Sequence, residues 1–67
     1  MNRSDVYRLA GQAMQDIPSF RYGQAVSNVI VKYHPNGTFA ISAETLALTD
    51  PYHNDDNVEA FLDALGY

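Results

Sequence analysis

Residues 22–33 read Tyr-Gly-Gln-Ala-Val-Ser-Asn-Val-Ile-Val-Lys-Tyr, and residues 34–41 continue His-Pro-Asn-Gly-Thr-Phe-Ala-Ile. Whether this stretch coils or doubles back decides the fold. Tyr22, Ala25, Val26, Val29 and Tyr33 recur at spacings that put them on one side of a helix. Lys32 and His34 suit the negative end of that helix, and Pro35 ends it. The same residues allow another reading. Val29–Tyr33 and Thr38–Ile41 are rich in β-branched and aromatic side chains, and Asn36-Gly37 between them is a hairpin turn signal. The unbroken period from Tyr22 to Tyr33 favours a helix over 20–33, with Ser19 as its cap. The alternative is an α+β fold with a hairpin at 29–41.

The flanks are easier to read. Val6, Leu9, Ala10, Ala13, Met14 and Ile17 form one apolar stripe, opposed by Arg8, Gln12 and Gln15. With Ser4 as cap and Pro18 as terminator, this predicts a helix over 5–16. Ser42 can cap a short helix over 42–47, which Asp50-Pro51 stops. Asp56 and Glu59 have capping-box spacing ahead of Val58, Phe61, Leu62 and Leu65, and Gly66 fits a left-handed terminus. A helix over 56–65 is therefore expected. Residues 1–67 then make one all-α domain, a compact bundle of three to four short helices.

A chain of 67 residues buries only about 60% of its unfolded surface, so it has little stability to spare. It has no cysteine, which removes disulfides and thiolate-bound metals. It is 46% hydrophobic and 18% charged, too apolar for a disordered chain. No apolar run reaches the roughly 20 residues of a membrane span, and the N-terminal segment lacks the core of a signal peptide. A cytoplasmic location is expected.

Charge is unevenly distributed. Residues 1–32 carry all four basic side chains and sum to +2, whereas residues 33–67 carry only acids and sum to −6. Such an acidic half repels phosphate backbones, so direct nucleic-acid binding is not expected. It serves solubility, or it attracts a basic protein.

Three groups of residues could carry function. Arg21, Gln24 and Asn28 fall within about 60° of one another on a helix, away from its apolar stripe. They either form a binding face or, through Arg21 and Gln24, pin the Asp50 loop. The loop containing Asp50, Tyr52, His53, Asn54, Asp55 and Asp56 is rich in oxygen. It lacks the central glycine and ligand spacing of a calcium loop, so it reads as turn and cap, and no metal or other cofactor is expected. His34 and His53 could pair with a carboxylate for acid–base work, but no nucleophile or oxyanion hole accompanies them. Catalysis is not expected. Tyr33, Tyr52 and Tyr67 stand at element ends, where tyrosines make good interface anchors. Phe20 and Val31 are expected to project away from the stripe of the second helix, forming an apolar patch suited to self-association.

Arg21-Tyr22-Gly23-Gln24-Ala25 with Asn28, then Asp50-Pro51-Tyr52 with Asp55, then Phe61-Leu62 with Leu65, resemble a loose group of small phage, prophage and mobile-element proteins. Those carry an R-x-G-Q-x-x-x-N run, a D-P-F/Y-x-x-D loop and a short terminal helix. The resemblance implies a mobile-element origin, an intracellular setting and helices. It implies no reaction. The expected function is a protein-interaction module that binds and modulates a host protein through an acidic, tyrosine-bearing surface centred on Arg21, Gln24, Asn28, Asp50, Tyr52, Asp55 and Asp56. A variant is mimicry of nucleic-acid charge. The alternative is a small self-associating structural protein, a homodimer or minor particle component.

Overall fold

A computed structural model describes every residue from Met1 to Tyr67. Four α-helices follow one another: α1 (Arg3–Asp16), α2 (Tyr22–Tyr33), α3 (Ala43–Thr49) and α4 (Val58–Ala64). Short 3₁₀ turns occupy Gly37–Ala40 and Asp55–Asn57, and the chain has no strand. The architecture is the all-α bundle that the apolar spacings predict.

The hairpin over 29–41 does not form. Asn36 and Gly37 do adopt positive φ, +66° and +53°, as an Asn-Gly turn demands. However, the turn leads out of a helix. The His34 N–H donates to the Ile30 carbonyl, and the Gly37 N–H donates to the His34 carbonyl. Thr38–Ala40 then wind into the 3₁₀ turn. Val29 and Ile30 are buried among other helices, and that packing outweighs the weak β preference of branched side chains.

Nine buried side chains make the core: Val6 and Ala10 from α1, Ala25, Val26, Val29 and Ile30 from α2, and Val58, Phe61 and Leu62 from α4. The central helix is α2, which is why its buried surface is broader than one stripe. Ile30 is fully buried, whereas Tyr33, predicted to share the stripe, is 49% exposed. Ile17, the last member of the α1 stripe, is also open to solvent, because Pro18 turns the chain away there. Phe61, Ile30 and Leu62 are among the largest fully buried side chains, each stabilising by about 1.5–3 kcal/mol.

Helix ends show where local signals were overruled. Asn2, not Ser4, caps α1: its side chain accepts from the Asp5 N–H at 2.9 Å, and its own N–H donates to the Asp5 carboxylate at 2.9 Å. This reciprocal box starts the helix two residues earlier than Ser4 would. Ser42 caps α3 as predicted, accepting from the Thr45 N–H. Asp56 does not cap α4. Asn54 instead accepts from the Asp56 N–H and opens the 3₁₀ turn from which α4 continues. At the far end Gly66, φ +90°, lets the Tyr67 N–H reach the Leu62 carbonyl and the Gly66 N–H reach that of Asp63. This double closure satisfies carbonyls that the helix leaves free.

One polar cluster joins the first and last helices. The Arg3 guanidinium pairs with Glu59 and Asp63 and donates to the Tyr67 carbonyl. The Tyr7 hydroxyl donates to Glu59 at 2.7 Å. These carboxylates remain mostly exposed, so the cluster orients α4 on α1 more than it stabilises the fold.

Candidate functional site

The acidic loop and the start of α2 form one clasp. Ser19 plays no part in it. The chain turns at Pro18-Ser19, with the Phe20 N–H donating to the Ile17 carbonyl, and α2 begins at Tyr22. The free amides of its first turn need acceptors. Asp55 supplies one from 32 residues away: its carboxylate accepts from the Gly23 N–H at 2.8 Å. A negative group there also complements the helix dipole. Gln24 folds back so that its amide oxygen faces the Arg21 N–H at 3.5 Å, a long contact that adds little.

Gly23 makes this approach possible. A Cβ on it would sit 2.0 Å from the Pro51 carbonyl oxygen and 2.9 Å from the Asp55 carboxylate. Pro51 is fully buried, so the loop is seated against α2 backbone to backbone. Two further side chains fasten it. Arg21 donates to the Tyr52 carbonyl at 2.8 Å and lies 3.2 Å from His53 Nδ1. Because a guanidinium only donates, His53 Nδ1 accepts in this contact. The Gln24 amide donates to the Tyr52 hydroxyl at 3.2 Å. Inside the loop, Asp50 accepts from the Tyr52 N–H, and Asn57 donates to the Asp50 carbonyl. Burial raises the pKa of the neighbouring Tyr22 phenol.

Of the seven residues singled out by sequence, Arg21, Gln24, Asp50, Tyr52 and Asp55 therefore meet. Their polar groups are directed largely at one another. Asn28 lies elsewhere, on a groove between α1 and α2 of about 170 Å³. Asp56 is exposed, with its backbone alone engaged by Asn54. The spacing of the motif gives Gly23 no contact of its own, and the approach of His53 to Arg21 comes from the loop's seating on α2. A glycine in the first turn of a helix was the available signal for the close approach.

No three His, Asp or Glu side chains gather closely enough to hold a metal ion. His34 and His53 are spent separately. His34 Nδ1 and the Tyr67 hydroxyl are 2.7 Å apart, and their rings meet edge to face. Burial raises the Tyr67 phenol.

The open surface lies beyond the clasp. Phe39 is 93% exposed, Leu48 76% and Val31 61%. Val31 and Phe39 share a hollow of about 290 Å³ at the end of α2. Phe20, expected to project outward with Val31, instead packs against the core. On α3, Glu44 and Leu48 stand one helical turn apart and both face solvent. Arg3 pairs with Glu59 and Asp63, and Arg8 pairs with Asp5, whereas Asp16, Glu44, Asp50, Asp55 and Asp56 make no ion pair. Lys32 makes no ion pair, and its ammonium lies 5.2 Å from the Tyr33 ring centroid. No helix is long and apolar enough to cross a membrane. No protein-family model, curated protein or solved structure matches this chain.

Proposed function

We propose that this chain is a protein-interaction module whose contact surface runs along α3 and the 3₁₀ turn before it, rather than through the Arg21–Asp55 clasp. The observation that carries the reading is the placement of large apolar side chains in solvent, Leu48 beside the unpaired carboxylate of Glu44. Leu48 and Glu44 share the outer face of α3, and Phe39 stands almost free. A chain with only nine buried core side chains leaves these in water. That arrangement suits a partner offering apolar pockets ringed by Lys or Arg. Half-exposed Tyr33 adds an aromatic anchor nearby in sequence. The proposal that the partner is a host protein in a cytoplasmic setting, bound by a mobile-element product, rests on the resemblance of the Arg21–Asn28 and Asp50–Asp55 segments alone.

The structure also selects the variants for the test. Reversing Asp55 or Asp63 would disturb the α2 cap or the Arg3 pair, mixing folding with binding. Glu44 makes no side-chain bond to another residue, so Glu44→Gln removes its charge from the α3 surface with little cost to the fold. A photo-crosslinking side chain at position 48 is expected to capture one protein in the source cell. The same group at exposed Gln15 on α1 should not. Glu44→Gln should weaken the adduct several-fold. Equal capture from both positions, or indifference to Glu44→Gln, refutes the reading.

A second reading, self-association as a structural protein, is favoured by the shared hollow of Val31 and Phe39.

A further inference from the structure

We infer that Asn36 is a modification site at which this chain converts itself, its side-chain amide giving way to a carboxylate by ring closure onto Gly37. The chemistry is local. The Gly37 backbone nitrogen loses its proton to solvent and attacks Asn36 Cγ. The bond from Cγ to the side-chain nitrogen breaks, and ammonia leaves. Water then opens the cyclic imide at either carbonyl. One opening gives aspartate. The other gives isoaspartate, in which the chain runs on through Cβ and Cγ. The sum is asparagine plus water to acid plus ammonia, with no redox step.

The structure singles out Asn36 among the five asparagines. Asn2, Asn28, Asn54 and Asn57 are followed by Arg3, Val29, Asp55 and Val58, whose side chains crowd a closing ring. Asn2 and Asn54 also accept amides at helix starts, and Asn57 donates to the Asp50 carbonyl. Asn28 lies inside α2, where the next amide is committed to the helix. Asn36 is exposed, precedes a glycine with no side chain to obstruct the ring, and makes no side-chain bond to the turn it heads.

The same turn sets the rate. At ψ 2° the Gly37 nitrogen eclipses the Asn36 nitrogen, whereas the ring needs it to eclipse Cβ. The Gly37 N–H is meanwhile held by the His34 carbonyl at 2.8 Å. Closure therefore waits for this bond to open and for the peptide unit to rotate. Opening costs little, because Gly37–Ala40 has no buried residue. The isoaspartate product cannot restore the turn. The Asn36 carbonyl that accepts from the Phe39 N–H at 3.0 Å becomes a free carboxylate, and an extra carbon enters the chain. The support under Phe39 is remade, and the net charge of −4 gains a further negative charge.

Warm storage of the wild-type protein in mildly alkaline buffer tests this, read by intact mass and peptide mapping. Position 36 should convert first, with isoaspartate as the larger product, and several-fold more slowly than in a free peptide spanning Tyr33–Ile41. Urea should bring the two rates together. Asn36→Gly keeps the positive φ and should remove the mass change. Gly37→Ala should slow conversion several-fold, and the same substitution in the peptide replaces it if the protein loses its circular dichroism. Asn36 still intact when the peptide has fully converted overturns the inference. So does earlier conversion at another asparagine, a mass change that survives Asn36→Gly, or a native rate equal to the peptide's. None of these readouts involves a partner, so they stand apart from capture at position 48.

Discussion

Gly23→Ala is the most informative single change in this protein. The added methyl would lie 2.0 Å from the Pro51 carbonyl oxygen, where ordinary contact begins near 3.4 Å. The loop must therefore retreat by roughly 1.4 Å, yet Pro51 is buried and has no free side to move toward. Retreat removes the Asp55 carboxylate from the α2 amide, a cap worth about 0.5–2 kcal/mol. It also weakens the Arg21 bond to the Tyr52 carbonyl, about 1 kcal/mol at an exposed position. Better helix propensity returns at most about 1 kcal/mol. The net loss is about 0.5–2 kcal/mol, against a total of about 3–10 kcal/mol for a domain of this length. A fall of about 2–16 °C in Tm follows, read by circular dichroism and cross-checked by urea titration. Gly11 is the internal control. It sits inside α1 with nothing within 4 Å of a new methyl, so Gly11→Ala should stabilise by about 0.5–1 kcal/mol. In a Gly23→Ala background, Asp55→Ala should cost nothing more, because the bond it removes is already gone. A Gly23→Ala protein as stable as wild type, or a full additional loss from Asp55→Ala, refutes the clasp.

Two ionisations provide further checks. The Asn2 N–H, helped by Arg8, holds the Asp5 carboxyl below its ordinary range. Its stabilising effect is therefore complete above the unfolded value of about 3.9 and disappears as pH falls through the lower folded value. Asp5→Asn should flatten that part of the acid titration, and an unchanged carboxyl shift in a carbon-13 titration would contradict the Asn2 box. The bond to Glu59 raises the Tyr7 phenol, so this contribution is intact below about pH 10 and lost as pH rises through the folded value. Glu59→Gln should bring the Tyr7 titration back toward the ordinary tyrosine range, as followed by ultraviolet difference absorbance.

Local chemistry revealed the helices but not the contacts that join them. The stripes of α1 and α4, the Ser42 cap and the Gly66 terminus were all legible, because each depends on residues within one or two turns. The start of α2 was not. Ser19 has the right chemistry for a cap, but the acceptor that matters is Asp55, distant in sequence. Asn36-Gly37 announces its backbone geometry correctly and says nothing of whether strands or helices enter the turn. Tyr33 and Ile30 exchanged places for a similar reason. A helix with neighbours on several sides buries more than one stripe, and the period alone does not report how many neighbours it has. At the site, co-occurrence of Arg21, Gln24, Asp50 and Tyr52 was visible as a pairing of segments. Of the two readings of Arg21 and Gln24, a binding face or a pin for the Asp50 loop, the bonds to Tyr52 are those of a pin, and the spacing alone does not reveal that Asn28 and Asp56 lie outside it. The Arg3–Tyr7–Glu59–Asp63 cluster had no sequence signal, since nothing in its spacing links the two ends of the chain.

From Val31 to Asp50 not one residue is fully buried, and only Ile41 and Leu46 reach down to the core. This span could be rewritten at almost every position without touching the nine side chains that hold the rest together. Beyond Tyr33 it is also the first part expected to exchange its amides, opening while α1, α2 and α4 stay packed. The span is thus a variable exterior on a frame whose integrity is decided elsewhere, anchored at one end by a helix and at the other by the clasp.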